Sequence, residues 1–183
     1  MNRMNLGSGR DYREGWINVD IKGRFDVFLD IGKPIDGDRY DLGIFDEIDA
    51  IEVLEHVHDL PQAWANCLAL LKEGGIMRVV VPHELSQGGW CDPTHVRGFN
   101  PKSFLYVDSW SWYLGWHRAT PAFKLKVETL DLVLAKGVIA EGADSVVLER
   151  TPGAVEQIHV TLRKVRMSDE EVAAGRVAAG DVL

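Results

Sequence analysis

Three histidines, one short acidic–basic segment and a glycine pair are the residues whose types and spacing could do chemistry in this chain. Near the start, Gly7-Ser8-Gly9 follows a short apolar stretch, and a second stretch, Trp16-Ile17-Asn18-Val19, ends on Asp20. A buried strand running into a glycine turn lets a ligand approach the backbone closely, because glycine reaches positive φ at little steric cost and adds no side chain. A following strand that ends in a carboxylate suits a pair of ribose hydroxyls, so the pattern points to a nucleotide-type ligand. A general base needs a pKa near working pH, which histidine has. The candidates are His56 after a fourth strand, His83 at the end of a fifth, and His95. Each also admits a structural part, as a ring that hydrogen-bonds loop backbone. His95 lies in Asp92-Pro93-Thr94-His95-Val96-Arg97, which could bind a polar acceptor, Arg97 gripping a carboxylate or phosphate. The alternative is an Asp92–Arg97 pair that braces the loop. A metal site from His56, His58, His83 and His95 is not expected, since no pair has the i, i+4 spacing of helical ligands. Glu55 is expected at the surface and Asp59 as a helix cap.

Patterning then gives the elements that must position these groups. Only residues 10–15 separate the glycine turn from the second strand. A crossover between parallel strands takes a dozen or more residues, usually a helix. The first crossover helix is therefore shortened or absent, and Arg10, Asp11 and Tyr12 are expected in a loop over the ligand. Phe25 to Leu29 reads as a third strand ending at Asp30, and residues 32–46 as loop. Residues 47–51 lead into Glu52-Val53-Leu54, the fourth strand and its exit. Asp59 with Gln62 reads as a capping box, and Leu60, Trp64, Cys67, Leu68 and Leu71 as one apolar helical face. Lys72 is expected in the last helical turn, with Gly74 ending it. Ile76 to Val81 is the near-continuous apolar run of a strand covered on both faces, closed by Pro82. His83 to Pro101 is a long irregular stretch of functional type, and Pro101 to Tyr106 a short helix. Trp110, Trp112 and Trp116 are expected as core under a lid rather than as a stacking platform. Phe123 to Leu134 and Val155 to Val165 read as strands, and the stretch from Ser168 as a weak, frayed helix at most.

A length of 183 residues fits one domain, 1–167, followed by a tail, 168–183. The net charge of −8 argues against a nucleic-acid or anionic-membrane surface, since both need a positive field. No apolar run approaches the roughly 20 residues of a membrane span, and the opening MNRMNLG is too polar for a signal peptide. Cys67 and Cys91 fit neither a disulfide framework nor a zinc cluster, and Cys67 falls on the apolar helical face. A cytoplasmic protein is expected.

NLGSG, GWINVDI, EVLEHV (Glu52 to Val57) and LLKEGGIMRVVVPH (Leu70 to His83) follow one another in an order that resembles the small class I S-adenosylmethionine-dependent methyltransferases of the type 11-like group. The resemblance covers roughly residues 4–104, and EVLEHV before a helix and a K-x-G-G-x-x-x-V-x-V-P strand is its most specific part. Two positions depart from the pattern: Asn5 stands where the family has an acid, and Asp11 where it has a third glycine. The resemblance implies an α/β fold, a Rossmann-like doubly wound, mostly parallel sheet with a C-terminal antiparallel edge hairpin. It implies S-adenosyl-L-methionine as cofactor, with the backbone of Leu6, Gly7, Ser8, Gly9 and Arg10 along the methionine and ribose. Asp20 and Ile21 would lie at the ribose hydroxyls, Asp30 and Ile31 at the adenine, and Glu52, Val53 and Leu54 would close the pocket. Asp30 could equally cap its turn. The segment Asp92 to Arg97 resembles one that relatives carry after the fifth strand. Methyl transfer to a small-molecule or glycan-type acceptor, at oxygen, is the activity implied. A cofactor-binding partner subunit without transferase activity is the alternative. A nicotinamide-dependent oxidoreductase is disfavoured by EVLEHV and by the strand after Gly74-Gly75. The edge hairpin and the Trp-rich segment are compatible with a homodimer.

Overall fold

The computed structural model describes residues 1–36, 41, 43–111, 122–138 and 144–179, with side chains through residue 174. Five parallel strands, β1 (Arg3–Leu6), β2 (Ile17–Asp20), β3 (Val27–Phe28), β4 (Phe45–Ile51) and β5 (Leu71–Pro82), form most of one sheet. The antiparallel pair β6 (Phe123–Leu134) and β7 (Val155–Arg166) completes it, in the order β3-β2-β1-β4-β5-β7-β6. This is the expected Rossmann-like topology with an edge hairpin. The order reverses between β1 and β4, so the carboxyl ends of β1, β2 and β4 meet at one crevice, where open α/β sheets hold ligands.

Side chains alternate across a strand, and here the two faces differ sharply. Met4, Leu6, Val19, Ile48, Ala50, Met77, Val79, Val160 and Leu162 point one way into a single core. Helix α1 (Leu60–Leu70) covers that face with Ala63, Trp64, Cys67, Leu68 and Leu70. On the other face the strand register lines up a polar row of Asn18, Asn5, Asp49, Arg78 and Thr161. β5 is accordingly not covered on both faces as its apolar run implied: Met77, Val79 and Val81 are buried, whereas Ile76, Arg78 and Val80 are half-buried.

Several boundaries also move. Asp59 caps α1 by accepting from the Gln62 N–H, but the Gln62 amide turns to Asn66 instead of back to the cap, so half of the expected box forms. The helix stops at Leu70 and β5 begins at Leu71; Lys72 therefore lies in a strand, 2.7 Å from Asp46. β4 starts at Phe45, inside the expected loop, because Phe45 is a core residue. The long stretch after β5 contains one short helix, α2 (Gln87–Cys91), and Pro101–Tyr106 is a 3-10 turn. Trp110 is 43% exposed and meets Tyr106 edge-on, so it is not core; Trp112 and Trp116 lie outside the described residues. The connection from β6 to β7 carries helix α3 (Ser145–Arg150), capped by Asp144, which accepts from Val146 N at 2.9 Å. Residues Asp169–Ala179 form helix α4, firmer than expected. Its Ser168 and Glu171 exchange backbone and side-chain hydrogen bonds as a complete capping box, and Glu171 also reaches Lys124 at 2.6 Å.

The connection from β1 to β2 contains only turns, as expected. It is fixed from below by side chains on the polar face. The buried Asn5 amide donates to Asp11 O (2.6 Å) and to Asn18 Oδ1 (3.1 Å). Asn18, with no exposed surface, accepts from Arg13 N and donates to Arg13 O, Trp16 O and Asp26 Oδ2. The Arg13 guanidinium pairs with Asp11 and with Asp49 on β4, both at 2.7 Å. The indole of Trp16 lies between the guanidiniums of Arg3 and Arg13, 4.6 and 5.0 Å from its ring centre. Asn5 thus does locally what an acid could not: it donates to a carbonyl of the turn. Asn18→Ala would strand buried donors and acceptors, and urea unfolding followed by circular dichroism should show a loss of about 1–3 kcal/mol.

Candidate functional site

The glycine turn stands at the mouth of the crevice. Gly7 has φ 67°, and a Cβ built on it would lie 2.2 Å from Val53 Cγ2, so the turn and the β4 exit pack where only glycine fits. Gly7 N and Ser8 N both donate to Val19 O (2.7 and 3.1 Å), and Gly9 N donates to Asp20 Oδ2 (2.7 Å). These three amides are bonded within the chain, to the end of β2. Leu6 and Ser8 are buried and Arg10 is exposed.

Asp20 ends β2 as expected. Its Oδ1 accepts from the N–H groups of Ile21 and Lys22 (2.7 and 2.9 Å), while Oδ2 has the single Gly9 N–H. A carboxylate offers about four lone-pair sites, so capacity remains on Oδ2. Ile21 and Phe28, at the ends of β2 and β3, are 59% and 54% exposed, an apolar pair beside that carboxylate. Asp30 caps its own turn, accepting from Gly32 N at 3.1 Å and facing Lys33 Nζ at 3.3 Å. Ile31 buries its side chain in the core, which leaves only its backbone for a ligand.

On the opposite wall Glu52 holds φ 55°, the one non-glycine residue with positive φ among those described. Strain of this kind collects at functional sites. Glu52 N donates to Val80 O, and its carboxylate accepts from Gln157 Nε2 (3.0 Å). Leu54 is core, and residues Leu54–His56 make one 3-10 turn.

That turn exposes the largest departure from the sequence reading. Glu55, expected at the surface, has no exposed area, and neither carboxyl oxygen accepts a hydrogen bond from another residue. Burial pushes its pKa up to about 8; its own backbone N–H opposes the rise, and the nearby carboxylates of Glu52 and Asp92 add to it. The loop after β5 folds back onto the same turn, Val96 N donating to Glu55 O (2.9 Å). This brings the His95 ring edge-on to His56, with centres 4.6 Å apart. His56 Nδ1 faces Thr94 Oγ1 and O (2.9 and 3.3 Å); His95 Nδ1 faces Gly89 O (2.9 Å).

The remaining candidates part from this cluster. His83 is 1% exposed, its Nδ1 accepts from Leu85 N, and burial lowers its pKa, so it is a neutral structural ring and not a reachable base. Arg97 neither pairs with Asp92 nor faces the crevice as a free grip. Its Nη2 donates to the carbonyls of Val57 and His58 (2.6 and 2.8 Å), bracing the loop through backbone. Asp92 accepts from Thr94 N and Thr94 Oγ1 (2.8 and 2.6 Å). Of the expected base and acceptor residues, then, His56 and His95 converge, and Asp92 reaches them through Thr94. The signal for Glu55 was present in EVLEHV, but a Glu beside a His on an exit loop reads as surface until the loop from residue 83 is known to cover it.

No protein-family model matches the sequence, and no curated protein sequence does. Solved structures do. A S-adenosylmethionine-dependent methyltransferase from Archaeoglobus fulgidus superposes with TM-score 0.60 at 16% identity, over 88% of this chain and 86% of that one. The putative methyltransferase of Haloferax volcanii, solved in complex with the Trm112 methyltransferase activator, gives 0.59 at 13%, over 90% and 83%. The [4+2]-cyclase SpnF gives 0.58 at 16%, over 91% and 75%. The chain has the fold of the class I S-adenosylmethionine-dependent methyltransferases.

Two outcomes follow from the site. Gly7→Ala places a methyl group inside Val53 at a strained φ, and should lower stability by about 1–3 kcal/mol in urea unfolding. Adding Val53→Ala should recover the part due to the clash and leave the part due to φ. Glu55, with its folded-state pKa near 8 against an ordinary 4.5, keeps a proton that the unfolded chain has released. The contribution of Glu55 to stability is therefore full at the acid end and falls between about pH 4.5 and 8, by up to roughly 1.4 kcal/mol per pH unit. Thermal melts with a chelator present should show that slope in the wild type and its loss in Glu55→Gln.

Proposed function

We propose that the protein binds S-adenosyl-L-methionine in the crevice at the ends of β1, β2 and β4 and transfers its methyl group to oxygen of a small-molecule or glycan-type acceptor. The observation that carries this is the meeting of the Gly7 turn, Asp20 and the strained Glu52 exit at the reversal point of a methyltransferase-type sheet. The residues fit the cofactor: lone pairs left on Asp20 Oδ2 for ribose hydroxyls, and exposed Ile21 and Phe28 beside it for a flat base. When bound, the sulfonium would supply an activated methyl group for transfer to the acceptor oxygen, with the neutral thioether as leaving group. The protein holds the acceptor in line and takes its hydroxyl proton. His56 and His95 are the candidates for that proton, since each ring directs Nδ1 at the loop and leaves Nε2 for a substrate. The same reading treats 1–167 as one cytoplasmic catalytic domain and 168–183 as its appendage. No helix among the described residues is long and apolar enough to cross a membrane.

A second reading, a cofactor-binding subunit that transfers nothing, is favoured by the turn amides of Gly7, Ser8 and Gly9 being committed inside the chain. Titration calorimetry with S-adenosylhomocysteine separates the cases. Wild type should bind, and Asp20→Ala should bind about ten- to a hundredfold more weakly, the loss of a charge-assisted pair of hydrogen bonds. Absence of wild-type binding would overturn both readings. Binding without methyl transfer to any hydroxylated acceptor would leave the second.

A further inference from the structure

Glu55, His56 and His95 form a set that base catalysis alone does not account for. One donor atom from each lies within 4.8 Å of the others. They come from two separate segments, joined by the Val96 N to Glu55 O hydrogen bond. The Glu55 carboxyl is wholly enclosed and neither oxygen accepts a hydrogen bond from another residue, an arrangement costly for a charged carboxylate unless a proton or a metal cation completes it.

The hydrogen bonds around the rings fix what they offer. Gly89 O can only accept, so His95 carries its hydrogen on Nδ1 and presents an unprotonated Nε2 when neutral. Thr94 spends its hydroxyl hydrogen on Asp92 Oδ1, so Thr94 Oγ1 accepts from His56 Nδ1, as its carbonyl also must. His56 thus presents Nε2 as well. An imidazole whose Nδ1–H is tied to a carbonyl or, through a hydroxyl, to a carboxylate is the supporting geometry of metal-ligating histidines. The sequence argued against a metal on helical spacing. That argument does not apply here, because the two rings come from different loops.

We propose that Glu55, His56 and His95 bind one divalent transition-metal ion of the zinc type, through the Glu55 carboxylate and the two Nε2 atoms, with coordination positions left open. Two imidazoles and one carboxylate are a set such ions accept, and three protein ligands leave room for an exchangeable one. Metal–ligand bonds of about 2.0–2.2 Å would draw the donor atoms in by a movement on the order of 1 Å. Val53, two residues before Glu55, touches the Gly7 turn, so the ion would stand beside the crevice. If the proposed methyl transfer holds, on which this last step rests, an acceptor hydroxyl bound to the open position would be acidified by the metal and release its proton to solvent water, and the two rings would serve as ligands instead of bases.

The test is calorimetric titration of chelator-stripped, full-length protein with Zn2+, with Co2+ as a spectroscopic probe of the coordination sphere. Wild type should take up one ion per chain. Glu55→Gln and His95→Ala should each weaken binding at least a hundredfold, and Thr94→Val, at an exposed supporting position, about tenfold. His58→Ala, an exposed histidine beside the set, should bind as wild type does. Failure of wild type to bind, or equal binding by wild type and Thr94→Val together with His95→Ala, would overturn the proposal. Because Thr94→Val alters only an exposed hydroxyl, the result does not depend on the core variants folding. S-adenosylhomocysteine binding measured on the same samples keeps the two ideas apart: retained nucleoside binding without metal uptake rejects the metal site alone.

Discussion

The carboxyl end of the sheet depends on the hydrogen bonds of one side chain, Asn18. Its amide sits under the β1–β2 turn with no exposed surface and ties Arg13, Trp16 and Asp26 to the strand beneath them. A helix would normally span this connection and bury an apolar stripe on the sheet. Here the turn has no such stripe, so the sheet face below it is polar, and that row continues from Asn18 through Asn5 and Asp49 to Arg78. Each charge in the row has a partner: Asp49 takes both Arg13 and Arg78, and Arg78 also reaches Glu47. Partly exposed pairs of this kind contribute little stability individually, but they leave no charge unpaired where the turn must be held.

On the other side of the crevice, position is set by backbone. Val96 donates to Glu55 O, Glu84 N to Phe99 O, and Arg97 to two carbonyls beyond the 3-10 turn. Gly89 is held between Ser86 and the His83 carbonyl, where a Cβ would approach that oxygen to 2.7 Å, and its own carbonyl orients His95. The segment of residues 83–100 is therefore ordered by contacts with β4's exit, and it brings a second histidine to a site that the strands alone would leave with one.

Much of this was legible in advance. The missing first helix, the Asp59 cap and the two C-terminal strands follow from local patterns (glycine spacing, an N-cap, apolar alternation), whereas the mostly parallel sheet and its edge hairpin follow from the family resemblance. The errors share another origin. The apolar residues of Ile76 to Val81 suggest cover on both faces, but cover depends on what the rest of the chain can place on each face, and here one face is only half-buried. Glu55 looks like a surface residue in the sequence because burial of a carboxylate is a tertiary property, decided 41 residues later by Val96. Arg97 and Asp92 have pairing chemistry and suitable spacing, yet backbone carbonyls and Thr94 reached them first. The Ser168–Glu171 capping box and the Asp144 and Ser86 caps are local signals that mark the remaining helices.

The short β1–β2 connection also has a kinetic side. Ten residues separate these two strands, whereas thirty-eight separate β1 from its other neighbour, β4. Closing the shorter loop costs less chain entropy, by about 1 kcal/mol on the logarithmic scaling of loop closure. Parallel pairing is slow in most α/β proteins because a long crossover must form first. In this chain the first parallel pair is nearly as local as a hairpin, and its Asn5–Asn18 contact lies wholly within that pair. Residues 3–28 can assemble around it before the far half of the sheet is in place, so the polar knot that replaces a helix in the native state also lowers the barrier to beginning the sheet.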